Sequence, residues 1–174
     1  MKFSLSREAL LSPLQFVVGV VERRQTLPIL SNVLLSLEGN RLSLTGTDLE
    51  VEIVGSTDVV VADEAGEVTV SARKFLDICR SLPEGAQVDF SSKDGKALLK
   101  SGRSKFTLAT LPANEFPSVD EGEKSVEFTV QSATLKGLIE ATSFAMAQQD
   151  VRYYLNGMLW ELLSLIHISE PTRP

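Results

Sequence analysis

An internal repeat is the feature that most constrains the fold of this chain. The segment Phe3-Ser4-Leu5 matches Phe128-Thr129-Val130, which lies 125 positions later, and the match continues at the same offset without gaps as far as Leu37 and Leu162. Two generic strand-helix-strand patterns can also coincide in this way, because apolar matches are frequent. A repeat explains the shared register better, and it predicts one complete copy of a domain of about 125 residues followed by the opening of a second.

Composition restricts the class of protein. The chain has 174 residues, of which 43% are hydrophobic and 23% are charged, so we expect a globular fold rather than a disordered or fibrous one. No apolar run approaches the roughly 20 residues that span a bilayer, and the N-terminus lacks a signal-peptide core, so a cytoplasmic protein without membrane association is expected. A single cysteine cannot form an internal disulfide and argues against a thiolate zinc site.

Hydrophobic periodicity predicts an α+β domain over 1–120, with two helices packed on antiparallel strands. Ser6 can cap a first helix over about 7–21, in which Pro13 is expected to introduce a bend. A second helix is predicted over 73–82, and Cys79 on its apolar side is interpreted as a core residue rather than a nucleophile. Strands are predicted at 2–5, 32–37, 41–45, 49–54, 58–61, 67–70, 87–90, 97–100 and 105–110.

The rest of the chain contains two boundaries. The acidic stretch 120–123 is interpreted as a linker, and 126–162 as the truncated beginning of the second domain. Residues 163–174 break the repeat and resemble translated sequencing-adapter sequence, so we expect a non-native artefact tail, with a genuine divergent C-terminus as the alternative. The only histidine, His167, lies in this tail, so chemistry that depends on an imidazole is not expected.

Three carboxylates alternate with apolar residues in the first domain. Asp48, Glu50 and Glu52 fall on one face of the strand predicted near 49–54, as a divalent-metal site for phosphoryl transfer requires. A small metal-dependent phosphoryl-transfer enzyme is therefore the alternative function. The same alternation is typical of a half-buried antiparallel strand, and no fourth ligand or nucleotide-binding motif accompanies it. We therefore favour a protein with no catalytic residues, no metal site and no cofactor.

The net charge of −6 would repel nucleic acid, so any contact with DNA has to be local. Arg24 and Gln149 occupy equivalent loops of the two repeats, and Tyr153 and Tyr154 follow shortly after the second loop. Guanidinium and amide groups bind phosphates, and tyrosines lie against sugars or unpaired bases. A nucleic-acid surface is one interpretation. The other is that the two tyrosines are partly core residues at the entry to a strand.

Longer strings identify a family. In chain order they are TLPIL at 26–30, LTGTDLE at 44–50, ARKF at 72–75, DICR at 77–80, LPEG at 82–85 and QDVRYYLNGM at 149–158. Together they closely resemble the bacterial beta sliding clamps, the processivity subunits of DNA polymerase III. The resemblance runs from Met1 to about Leu162 and accounts for the repeat.

The resemblance implies a DNA-clamp fold and a function without chemistry. It implies a head-to-tail homodimer in which each subunit carries three copies of the domain and the closed ring surrounds double-stranded DNA. An ATP-driven clamp loader places such a ring on DNA, and the ring then tethers the DNA polymerase III catalytic subunit. Sliding requires weak, salt-sensitive contacts that read no base edge, and a modestly positive inner wall can supply them in an acidic protein.

The resemblance also assigns residues to surfaces. The residues that it places at DNA are Arg24, Arg73, Gln149, Tyr153 and Tyr154. The residues that it places at the subunit interface, on an edge strand and the second helix, are Lys74, Ile78, Leu82, Arg103, Lys105, Phe106 and Leu108. Leu155 corresponds to one wall of a cleft that captures partner peptides, and the other walls come from later segments of the family.

Overall fold

The computed structural model describes residues 1–21, 27–117 and 128–161. The chain divides into two compact units, Met1–Glu121 and Gly122–Pro174, and each is described by itself. Within the described ranges, no helix has the length and apolar content that a membrane crossing needs.

The described residues of the first unit, 1–21 and 27–117, form nine antiparallel strands and two α-helices. In chain order the elements are β1 (Lys2–Ser6), α1 (Arg7–Val17), β2 (Asn32–Glu38), β3 (Arg41–Thr47), β4 (Glu52–Asp58), β5 (Val61–Glu64), β6 (Gly66–Ser71), α2 (Ala72–Ser81), β7 (Gln87–Lys93), β8 (Lys96–Ser101) and β9 (Ser104–Leu111), with 3-10 helices at Pro28–Ser31 and Ala113–Glu115. The strand order in the sheet is β4-β3-β2-β6-β9-β8-β7-β1-β5. Residues 104–109 of β9 pair with β8, whereas Thr110 and Leu111 pair with β6, so β9 joins the two halves of the sheet.

Each helix follows a strand that pairs with the opposite half of the sheet. β1 precedes α1 but pairs with β7, which follows α2, and β6 precedes α2 but pairs with β2, which follows α1. The apolar residues of both helices and of the sheet therefore share one core. At its centre the rings of Phe3 and Phe90 stack with centroids 4.8 Å apart, and Phe75 from α2 meets Phe90 edge-on at 6.1 Å. Such aromatic pairs stabilise a core beyond the area that they bury.

Two arginines link the beginning of each helix to the end of the other. Arg7, the first residue of α1, donates from Nε to the carbonyl of Cys79 in the last turn of α2 at 2.9 Å. Arg73 near the beginning of α2 donates from Nη2 to the carbonyl of Val21, beyond the end of α1, at 2.9 Å. These bonds satisfy carbonyl groups at or just past the helix ends. Cys79 is itself buried, as predicted, and burial raises the pKa of its thiol to about 12.

Two glycines let α1 lie directly on the sheet. Gly46 in β3 and Gly55 in β4 are diagonal neighbours on one sheet face, because Leu44 pairs with Gly55 and Gly46 pairs with Ile53. A Cβ atom on Gly46 would lie 2.9 Å from the carbonyl oxygen of Val17, and one on Gly55 would lie 2.8 Å from Cβ of Pro13. Real side chains do not approach so closely, so the helix-to-sheet distance depends on the missing Cβ atoms.

The first helix is shorter than the sequence predicted. Ser6 caps it, since Ser6 Oγ accepts from the amide of Ala9 at 3.3 Å, but the α-helix ends at Val17 and not near residue 21. The amide of Gly19 bonds to the carbonyl of Phe16, and that of Val21 to the carbonyl of Val18, so the chain tightens into i to i+3 turns. Glycine and β-branched residues have low helix propensity, which explains the early end. The valines are nevertheless buried, as their periodicity indicated.

Two strand predictions were displaced. The strand expected at 49–54 is β4 at Glu52–Asp58, and the strand expected at 58–61 is β5 at Val61–Glu64. Residues 48–51 instead form a turn in which Asp48 Oδ1 accepts from the amides of Glu50 at 2.9 Å and Val51 at 2.7 Å, and Leu49 has a φ of 80°. An aspartate side chain that accepts hydrogen bonds from the following backbone amides competes with strand pairing. The alternation of apolar residues in the sequence does not show this competition.

The second unit reproduces the beginning of the first at the predicted offset. Its helix α3 (Ser132–Ser143) lies 125 positions after α1, and its 3-10 helix at Tyr153–Asn156 lies 125 positions after the one at Pro28–Ser31. No strand is present among its described residues, 128–161. In the first unit the corresponding strands β1 and β2 pair with β7 and β6, which lie much later in the repeat.

We expect Gly46→Ala to destabilise the first unit by about 1–3 kcal/mol, because the added methyl group would push α1 off the sheet. Urea unfolding followed by circular dichroism measures the change. Gly137→Ala is the control, since a Cβ atom at Gly137 meets nothing within 4 Å. An unchanged urea midpoint for Gly46→Ala would contradict the close approach.

We expect Glu8 to stabilise the first unit at neutral pH and to lose this effect in acid. Its Oε1 accepts from the amide of Gly85 at 3.0 Å, and this bond is the main reason that the pKa of Glu8 is lowered. A pKa below the unfolded value means that the contribution is complete at neutral pH and disappears as the pH falls through the folded-state pKa.

The measurement compares urea midpoints of wild type and Glu8→Gln from neutral to acidic pH, and the two should converge as the pH falls. Glu67→Gln, at an exposed position of β6, is the control and should remain parallel to wild type. A gap between wild type and Glu8→Gln that stays constant with pH would contradict the assignment.

Candidate nucleic-acid interface

The predicted DNA residues of the second unit lie in one loop. The loop is closed where the amide of Ala147 donates to the carbonyl of Leu155 at 3.0 Å. Inside it, the amide of Asp150 donates to Asn156 Oδ1 at 3.0 Å, and Asn156 Nδ2 donates to the carbonyl of Asp150 at 3.0 Å. Gln149 adopts a left-handed backbone with a φ of 61°, which non-glycine residues rarely do. These contacts hold a short segment in a defined shape.

An internal ion pair occupies the charged groups of this loop. Asp150 Oδ1 accepts from the backbone amide of Arg152 at 2.9 Å and from its Nε at 3.1 Å, while Oδ2 accepts from Nη2 at 3.1 Å. The Arg152 side chain lowers the pKa of Asp150, and Asp150 raises the pKa of Arg152. Both groups stay charged at neutral pH, and together they carry no net charge.

The two tyrosines of the loop present their rings to the surface. The side chains of Tyr153 and Tyr154 are 83% and 65% exposed, and their rings meet edge-to-face with centroids 6.0 Å apart. Within the described part of the second unit they are surface residues and not core residues. Two exposed aromatic faces beside the exposed amide of Gln149 form a surface that can contact sugars, bases and phosphates without a net charge.

The remaining DNA residues predicted from the sequence are not joined to this loop. Arg73 lies on the exposed side of α2 in the first unit, where Nη2 is bonded to the Val21 carbonyl and the other donors of the guanidinium have no described partner. Arg24 lies outside the described residues. The structure therefore groups Gln149, Tyr153 and Tyr154 and places Arg73 in the other unit.

The residues predicted for a subunit interface lie on α2 and around β9. Lys74, Ile78 and Leu82 follow one another at intervals of four residues, so they form one stripe along and just past α2. Phe106 and Leu108 alternate on the core side of β9. Leu82 and Leu108 are largely buried, Ile78 and Phe106 are half-buried, and the exposed members are Lys74, Arg103 and Lys105.

One edge of β9 is open in the described structure. Residues 104–109 bond to β8 on one side, and on the other side only Thr110 and Leu111 of this strand reach β6. Lys105 lies directly opposite Lys100 across the strand pair, and Lys93 lies opposite Lys96 on the neighbouring strands. Like charges in directly opposed positions are unfavourable in a sheet, so this face favours an acidic neighbour.

Leu155, the residue predicted for the peptide cleft, is 37% exposed at the end of the tyrosine loop. A separate apolar hollow in the second unit is lined by Leu138, Ile139 and the segment 158–160.

The predicted carboxylate face is not present. Asp48 and Glu50 belong to the turn before β4, and only Glu52 belongs to the strand, so the three do not alternate along one strand. Asp48 Oδ1 is engaged by two backbone amides, which lower the pKa of Asp48. Among the residues that the structure describes, no group of three or more His, Cys, Asp and Glu side chains could hold a metal ion. The geometric basis of the phosphoryl-transfer alternative was therefore wrong.

Two family models match the chain in sequence order. The model for the DNA polymerase III beta subunit, N-terminal domain, matches residues 1–120, and the model for its central domain matches residues 129–165. The beta sliding clamp of Pseudomonas aeruginosa is 62% identical over 162 residues, which are 93% of this chain and 44% of that protein. The beta sliding clamp of Escherichia coli K12 is 56% identical over 161 residues, which are 92% of this chain and 44% of that protein.

Solved structures give the same result. A DnaN sliding clamp from Pseudomonas aeruginosa bound to griselimycin superimposes with a TM-score of 0.88 at 63% identity, covering 91% of this chain and 43% of that one. The pol III beta structure from Caulobacter crescentus superimposes with a TM-score of 0.86 at 44% identity, covering 90% of this chain and 42% of that one. The chain thus spans less than half the length of the relatives that it matches.

We expect the backbone of Gln149 to tolerate glycine better than valine. Glycine adopts a positive φ at little cost, whereas a β-branched residue is strained there by about 1–2 kcal/mol. Hydrogen exchange of the Ala147 amide, which closes the loop, reports the difference by NMR. Gln149→Val should accelerate this exchange about tenfold and Gln149→Gly much less. Equal exchange rates in the two variants would show that the left-handed conformation is not maintained.

Proposed function

The chain belongs to the DNA polymerase III beta subunit family, and on this premise we propose that it supplies the N-terminal domain and the first part of the central domain of a DNA sliding clamp. The observation that carries the proposal is the ordered match of two consecutive clamp domains to a chain whose first unit has the α+β clamp fold. We place the domains at 1–120 and 126–162 and regard 163–174 as a non-native tail. In the proposed assembly, a ring-shaped homodimer encircles double-stranded DNA without performing chemistry.

The tyrosine loop is the proposed point of DNA contact in the second unit. The exposed rings of Tyr153 and Tyr154 lie against sugars or bases, and the Gln149 amide donates to phosphate oxygens. Arg73 and Arg24 add positive charge from the first domain. None of these groups needs a particular base, so the contacts are independent of sequence and weak enough for sliding. Encirclement, and not a high affinity, then keeps the protein on DNA.

The open edge of β9 and the stripe on α2 are the proposed subunit interface. The partner strand adds to the unpaired edge of 104–109, and half-buried Phe106 and Ile78 supply apolar contact. Exposed Lys74, Arg103 and Lys105 favour an acidic partner surface. Leu82 and Leu108 are already largely buried within the domain. They therefore contribute to this interface by packing under the residues that contact the partner.

Leu155 contributes one wall of a cleft for short peptides in the proposed clamp. Its side chain is part exposed, so an apolar residue of a bound peptide can reach it. The proposed partners at this cleft are the DNA polymerase III catalytic subunit and the clamp loader. The proposed location is the cytoplasm.

We expect the double variant Tyr153→Ala/Tyr154→Ala to bind a 30-base-pair duplex at least tenfold more weakly than wild type, since an aromatic contact is worth about 1–3 kcal/mol and a loss of about 1.4 kcal/mol is already tenfold. Fluorescence anisotropy at low salt measures the dissociation constant with two unrelated duplex sequences, which wild type should bind equally. Phe144→Ala is the matched control, because Phe144 is an aromatic residue of the same unit and is 86% exposed. Binding by the double variant that equals wild-type binding would overturn the proposed contact surface.

A further inference from the structure

Asn156 makes a pair of hydrogen bonds that could not be predicted from its position in the sequence. Its side-chain amide accepts from the amide of Asp150 and donates to the carbonyl of the same residue, both at 3.0 Å. The side chain thus bonds both the N–H and the C=O of one residue, as a residue does in a hydrogen-bonded pair across two antiparallel strands. The residue bonded lies six positions earlier, so the two contacts close the segment 150–156 at its ends.

The closed segment contains the groups proposed to meet DNA. Tyr153 and Tyr154 lie between its two ends, and Gln149 lies immediately before it. Inside the segment, the amide of Leu155 donates to the carbonyl of Arg152 at 2.9 Å, which forms the turn that carries both rings. Because the two rings are mostly exposed, side-chain packing does little to fix their orientation. Their orientation therefore depends on the conformation of the backbone that carries them.

Backbone strain next to this closure indicates that the loop shape is imposed. Gln149 has a φ of 61°, and such positions persist only where the surrounding contacts determine them. The neighbouring contacts are the two bonds from Asn156 to Asp150 and the bonds from Asp150 to Arg152. The Asp150 carboxylate is already taken by Arg152, so the Asn156 amide is the group that holds the Asp150 backbone.

We propose that Asn156 is a positioning residue, which fixes the tyrosine loop in the shape that contacts duplex DNA without touching the DNA itself. This inference rests on the function proposed above. Asparagine suits the position because its short side chain carries one acceptor and one donor at the spacing of a peptide group. Alanine at this position offers neither.

The test compares Asn156→Ala with wild type in the full chain by two measurements. NMR hydrogen exchange of the Asp150 amide reports the closure, and anisotropy reports the dissociation constant for a 30-base-pair duplex. We expect Asn156→Ala to accelerate the exchange at least tenfold and to weaken binding about fivefold. Asn114→Ala is the matched control, since Asn114 is exposed and makes no side-chain hydrogen bond within the described structure.

A positioning role predicts non-additivity with the tyrosines. In the Tyr153→Ala/Tyr154→Ala background, Asn156→Ala should change the dissociation constant by less than twofold, because the groups that it positions are gone. The slope of log affinity against log salt should also stay at the wild-type value, because no charged group that neutralises a phosphate is lost.

Three results would overturn the inference. Unchanged exchange of the Asp150 amide would show that Asn156 does not hold the loop. A fivefold effect that persists without the tyrosines would show that Asn156 acts on DNA directly. Wild-type chain that fails to bind duplex at low salt would overturn the proposed DNA contact of the tyrosine loop and, with it, a role for Asn156 at DNA, whereas the first two results leave that proposed contact intact.

Discussion

The exchange of strands between the two halves of the sheet is the constraint on which the first unit depends. Because β1 pairs with β7 and β6 pairs with β2, neither half can complete its pairing without the other. The same crossing brings the beginning of each helix to the end of its neighbour, where Arg7 and Arg73 reach the opposite carbonyl groups. Removing either half would leave open strand edges and an incomplete core, so the unit must fold as one.

The elements found in the described part of the second unit are ones that need no distant strand partner. Its helix and its 3-10 helix form from local contacts, which need only neighbouring residues. In the first unit the strands that flank the corresponding helix pair with strands from much later in the repeat, and no strand is present among the described residues 128–161. Apolar side chains of this unit, among them Leu138 and Trp160, are exposed within its described residues.

Much of this could be predicted from the sequence where the signal is local. The amphipathic pattern of α2 depends on residues three or four positions apart and has its counterpart in the structure. The offset of 125 residues is read directly from matching residues along the chain, and α3 begins at that offset. The early end of α1 and the turn around Asp48 were missed, because side-chain and i to i+3 bonds there override hydrophobic periodicity. The roles of Asn156 and of the glycines beneath α1 could not be predicted, since they depend on distances that only the folded chain defines.

In the proposed clamp, the ion pair between Asp150 and Arg152 would affect movement along a duplex. A free arginine would be drawn to successive phosphates, and each step to the next phosphate would have to break a strong attraction. With its charge compensated inside the loop, the same arginine would add little attraction toward any one phosphate. In the proposed ring, the loop would then offer little resistance to sliding along the DNA. The rate of translational diffusion would be limited by water and counterions more than by the protein.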